Sequence, residues 1–228
     1  MNAPPLGPSD LAQAGLWLAI LIAGAGGCAW LFRRGLPRTY VRDLLHVGAG
    51  CWVFGWPWWG GWAVPSLIPA LAVGGLLLLS GKKGGGALAS FQQAVSDADE
   101  RWSGLVLYAL AVATLTPVGI LGAPFPAAGA LLALALGDGL GGLVGRNFGR
   151  RRFQLPGGKP KSLEGAAVVA LASGVGIWVA AGYFQAPVSL PTVVLAAAAA
   201  SLAEAVAPRA TDNLLVPAAV FGVLGLLG

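Results

Sequence analysis

ALLALALGDGLGGLVGRNFGRRR, running from Ala130 to Arg152, passes from pure hydrocarbon to a cluster of arginines within one helical pattern. Its apolar part extends back to about residue 123. The stretch 123–145 is thus long enough for a bilayer, since a spanning helix needs about 20 predominantly apolar residues. Gly137, Gly141, Gly145 and Gly149 recur every four residues and make one stripe, the small-residue pattern of closely packed membrane helices. Asp138, Gly142, Arg146 and Arg150 make the stripe beside it. The segment reads as a membrane helix whose last turns carry charge at one membrane boundary.

The rest of the chain agrees. Of its 228 residues 57% are hydrophobic, 36 more are glycine, and only 10% are charged, against about 25% charged in a soluble domain. Too few polar side chains remain to cover a soluble globule, and no repeat of fixed period suggests a solenoid. Cys28 and Cys51, both in apolar runs, exclude a disulfide framework and a cysteine-based zinc site. Hydrophobic stretches at 14–32, 44–60, 62–80, 104–121, 123–145, 165–184, 190–207 and 213–228 predict about eight transmembrane helices, within a range of seven to nine. The fold class expected is an all-α, polytopic integral membrane protein. It forms a single transmembrane domain over 1–228, with a polar cytoplasmic loop at 81–103.

The basic residues set the orientation. With the N-terminus outside, loops 33–43, 81–103, 146–164 and 208–212 face the cytoplasm and hold all 14 lysines and arginines. The opposite loops hold none, so an N-out, C-out topology is expected, in a bacterial plasma membrane. The net charge of +5 is then one-sided, suited to anionic headgroups or phosphorylated ligands and not by itself to nucleic acid. Residues 1–13 lack Lys and Arg and contain Asp10, so the first span is not expected to be a cleaved signal peptide. The tryptophans crowded into 52–62 are expected to form an interfacial belt at the outer surface.

Ionisable residues in or beside apolar spans are costly and point to function. Here they are His46, Asp138, Glu164, Glu204 and Asp212, all near the cytoplasmic ends of their spans. Asp138 and Arg146, eight residues apart on one helix, stand about 12 Å apart. That spacing suits a carboxylate holding Mg²⁺ and an arginine reaching along a phosphate chain, because Mg²⁺ is commonly held by one or two carboxylates plus substrate phosphates. Residues 157–165, GGKPKSLEG, resemble a P-loop only superficially, since Pro160 separates the lysines and the Walker spacing is absent. They predict a basic loop with Lys159 and Lys161 that ends at a helix N-terminus, where Ser162 is the N-cap and Glu164 lies in the first turn. Arg38, Arg42, His46 and Gly50 share one helical stripe.

Four ordered stretches together resemble a known family: RDLLHVGAG (42–50), GDGLGGLVGRNFG (137–149), KSLEGAA (161–167) and AEAVAPRATDNLLVP (203–217). They are similar to the CTP-dependent lipid-alcohol kinases, which include phytol, dolichol, polyprenol and diacylglycerol kinases. Asp43 departs from the pattern, which usually has Lys there. The resemblance implies a kinase that transfers a phosphoryl group from CTP to a lipid alcohol, with Mg²⁺ and CTP as cofactors. Asp138, Asp212 and Glu204 would serve as metal-side acids, Glu204 alternatively as general base. Arg146, Arg150, Lys159, Lys161, Ser162 and Asn213 would face the nucleotide and its phosphates, with Arg42 and His46 near the lipid hydroxyl and His46 as base. The alcohol's chain would lie between spans on the small-residue faces, and self-association stays open. Phosphatidate cytidylyltransferases are related, but their basic run and their second acidic-basic element are missing here. A small transporter is the remaining alternative, and charges confined to the cytoplasmic ends disfavour it.

Overall fold

The computed structural model describes residues 7–79, 86–95, 103–155, 160–208 and 210–228. Among these residues the chain forms nine α-helices, one 3₁₀ segment and one two-stranded hairpin. The helices are α1 (Pro8–Arg33), α2 (Arg38–Gly50), α3 (Ala63–Leu79), α4 (Gly86–Val95), α5 (Ser103–Leu121), α6 (Pro124–Phe148), α7 (Leu163–Tyr183), α8 (Leu190–Val206) and α9 (Asp212–Leu227). Their boundaries follow local chemistry. Prolines open α1 and α6, where a missing N–H costs nothing. Ser162 and Ser189 cap α7 and α8 by accepting from the backbone N–H of Gly165 and Thr192. Gly35, at φ +92°, ends α1 in the tight turn that leads to α2.

Four helices, α1, α5, α6 and α7, are long and apolar enough to cross a membrane, and α3, α8 and α9 are shorter apolar helices. Seven of the eight sequence-read stretches thus coincide with apolar helices. The remaining one, 44–60, does not stay α-helical. After Gly50 the chain passes into a 3₁₀ segment, Cys51–Trp58, which contains Pro57. Proline removes a backbone donor there, and the bulky rings are accommodated by turning the segment into the bundle.

That turn corrects the expected tryptophan belt. Trp52, Trp56 and Trp59 are buried in the main core, and Trp58 is the exposed one of this segment. Trp52 packs edge-on to Trp17 at 4.8 Å and donates its indole N–H to Thr116 Oγ1 at 2.9 Å. Of the polar loop at 81–103, residues 86–95 form α4; 81–85 and 96–102 lie outside the described residues.

α6 is the centre of the bundle and packs against α2, α5, α7 and α9. α6 is mostly buried, whereas α1 is mostly exposed, so α1 is peripheral. The glycine stripe explains the α6–α7 seam. A Cβ on Gly141 would strike the Val169 side chain and come within 3.2 Å of the Gly165 carbonyl; one on Gly176 would press on the Leu132 backbone. The α6–α7 seam is thus filled by helix packing, as the four-residue glycine spacing predicts.

Candidate active site

The C-terminal ends of α1, α6 and α8 meet the N-terminal ends of α2, α5, α7 and α9 at one end of the bundle, around a cavity of about 1060 Å³. His46, Asp138, Lys161, Glu204 and Asp212 line it together, as do Arg42, Arg146, Ser162 and Asn213. Arg150 does not: it lies beside a separate small pocket with Glu164. Lys159 lies outside the described residues.

α2 brings His46 to Asp138 because its buried face fits the glycines of α6. A Cβ on Gly139 would meet Val47, and one on Gly50 would meet Ala135. The helices therefore approach closely, and His46 Nε2 lies 3.7 Å from Asp138 Oδ2. The ring's Nδ1 faces the Arg42 carbonyl at 3.1 Å, and Nε2 faces Asn213 Oδ1 at 3.1 Å. Tyr108 of α5 packs edge-on to the imidazole at 4.5 Å and donates its hydroxyl to the His46 carbonyl at 2.9 Å. Sequence reasoning missed Tyr108: it sits inside an apolar span with no charge beside it, and only the tertiary contact reveals it.

Arg146 is held by Asp43, with which it forms an ion pair across α2 and α6. Its guanidinium also stacks 5.5 Å from the centre of the Tyr40 ring, and Tyr40 donates to Asn147 Oδ1 at 2.8 Å. Burial pushes the Asp43 carboxyl above the usual carboxylate range, and the Arg146 guanidinium opposes that rise. The departure from the resembled pattern at Asp43 was legible in the sequence; its partnership with Arg146 was not.

The basic loop is a short antiparallel hairpin that pairs Arg152 with Ser162 and Phe153 with Lys161. Its base is tied by the Glu164 carboxylate, which accepts the backbone N–H groups of Arg150 and Arg151 at 3.1 and 3.2 Å. Ser162 Oγ accepts from Gly165 N–H at 3.0 Å, the expected N-cap. Lys161 donates to Glu204 Oε1 at 2.5 Å and also to the Glu204 backbone carbonyl, so it ties the hairpin to the end of α8.

Asp138, Glu204 and Asp212 are close enough to repel one another across the cavity, and the Lys161 ammonium offsets part of that repulsion. Among the described residues no three His, Cys, Asp or Glu side chains converge into a ready-made metal cage. Magnesium does not need one, because substrate phosphates and water complete its octahedron. Glu204 is engaged by Lys161, and Asp138 and Asp212 line the same cavity as the carboxylates that could hold a divalent cation.

No protein-family model and no solved structure matches the chain. The chain is 33% identical to the phytol kinase of Synechocystis sp. over 190 residues, covering 79% of this chain and 76% of that protein. On that identity and coverage the chain belongs to the phytol kinase family.

Proposed function

We propose that the protein transfers the γ-phosphoryl group of CTP to the hydroxyl of an isoprenoid alcohol of the phytol type, at the cytoplasmic face of the membrane. One observation carries the reading: acids, cations and a histidine from four separated stretches of sequence line one cavity at one end of the bundle. The similarity to phytol kinase supports an alcohol acceptor. The resemblance of the four stretches to CTP-dependent lipid-alcohol kinases supports CTP as donor. The one-sided distribution of all 14 Lys and Arg supports a multi-pass, N-out and C-out arrangement with the cavity facing the cytoplasm.

Phosphoryl transfer is chiefly positioning and charge neutralisation. The alcohol oxygen attacks the γ-phosphorus, the bond to the β–γ bridging oxygen breaks, and CDP leaves. Arg42 and His46 flank the hydroxyl, and His46 is the base that takes its proton. Mg²⁺ held by Asp138 and Asp212 would neutralise charge on the phosphates. Lys161 and Arg146 face the triphosphate, the charge of Lys159 is assigned to it as well, and Ser162 acts through the cap that orders its turn.

Purified full-length protein in lipid nanodiscs, given CTP or ATP and a panel of lipid alcohols, tests the reading by product analysis. Phosphorylated alcohol and CDP are expected, with CTP preferred over ATP. No phosphorylated alcohol from any nucleoside triphosphate would overturn it.

A further inference from the structure

We infer that Asn213 is a positioning residue that fixes His46 and Asp212 relative to each other and touches no phosphate; the inference rests on the kinase reading above. The residue is 4% exposed, and its side chain's hydrogen bonds are made inside the protein. Nδ2 donates to the Ala210 carbonyl at 3.1 Å and to Asp212 Oδ1 at 3.2 Å, and these use its two hydrogens. Oδ1 faces His46 Nε2 at 3.1 Å. The amide cannot be turned over, because its oxygen would then meet the Ala210 carbonyl and the Asp212 carboxylate. The backbone N–H of Asn213 donates to the same Asp212 oxygen at 3.0 Å. Asp212 Oδ1 is therefore clamped by two N–H groups, and Oδ2 takes no hydrogen bond from Asn213.

The consequence is a link between the group that moves the proton and the group that faces the metal. α2 and α9 each supply one of them, and one buried amide sets the angle of both. Positional errors of about 1 Å at a reacting centre cost about 10²-fold in rate. Loss of the amide thus acts on turnover and on metal affinity, not on nucleotide binding.

The test uses full-length wild type, Asn213→Ala, Asn213→Ser and His46→Ala with and without Asn213→Ala. Initial rates are measured against CTP and against Mg²⁺, and thermal unfolding confirms folded protein. Asn213→Ala is expected to lower kcat about 10²-fold and to raise the Mg²⁺ concentration for half-maximal rate. KM for CTP at saturating Mg²⁺ should be unchanged. In the His46→Ala background the same substitution should cost far less than it does alone. If Asn213→Ala does not fold, Asn213→Ser is read by the same split. A raised KM for CTP with kcat retained would mean a phosphate contact and overturn the inference. So would wild-type rates in either variant, or full additivity with His46→Ala. A wild-type protein that phosphorylates no alcohol would overturn the kinase reading and this inference together.

Discussion

Asp43 on α2 and Arg146 on α6 form an ion pair that joins the two helices bearing His46 and Asp138. The Arg146 side chain is 33% exposed, so solvent screens part of the interaction. Asp43→Asn should lower unfolding stability by about 1 kcal/mol and release the guanidinium toward the triphosphate. KM for CTP should therefore fall in Asp43→Asn and rise in Arg146→Ala. Steady-state kinetics on both variants checks this, and a CTP KM unmoved by Arg146→Ala would remove Arg146 from the nucleotide site.

Asp138→Asn should abolish turnover while the protein remains folded and inserted. The amide is nearly isosteric but lacks the charge that a divalent ion requires. Near-normal activity at ordinary Mg²⁺ concentrations would end the assignment of Asp138.

Much of this arrangement is visible in the sequence, for a physical reason. Charges are costly in hydrocarbon, so Asp138, Glu204 and His46 stand out against apolar surroundings, and their shared depth predicts one site. The start of α7 is legible from Ser162, whose capping effect is local. Hydropathy alone does not reveal that Cys51–Trp58 is 3₁₀, because an apolar run has the same composition in either helix. Nor does it reveal which partner a charged residue chooses. Arg146 could reach a ligand or Asp43, and Lys161 a phosphate or Glu204; each choice depends on tertiary distances. Tyr108 is the extreme case, since its only signal is the contact itself.

Tyr108→Phe should leave the fold intact, because the ring and its packing on His46 persist, and should lower kcat with little change in KM for either substrate. The hydroxyl's bond to the His46 carbonyl is all that is lost. A rate equal to wild type would show that ring packing alone holds the histidine.

Gly141→Ala should destabilise the protein by about 1–3 kcal/mol, since the added methyl overpacks the α6–α7 seam against Val169 and Gly165. Gly222→Ala, at a site with open space around the new methyl, is the matched control and should not destabilise. Thermal unfolding in one detergent compares the pair; equal midpoints would contradict the close packing of α6 on α7.

The bond that breaks in the nucleotide tests the central claim most directly. Purified protein is incubated with a lipid alcohol and CTP carrying radioactive phosphorus at either the γ or the α position. The kinase reading predicts label in the lipid from γ-labelled CTP only, with CDP as the nucleotide product. Label in the lipid from the α position, with release of pyrophosphate, would contradict it.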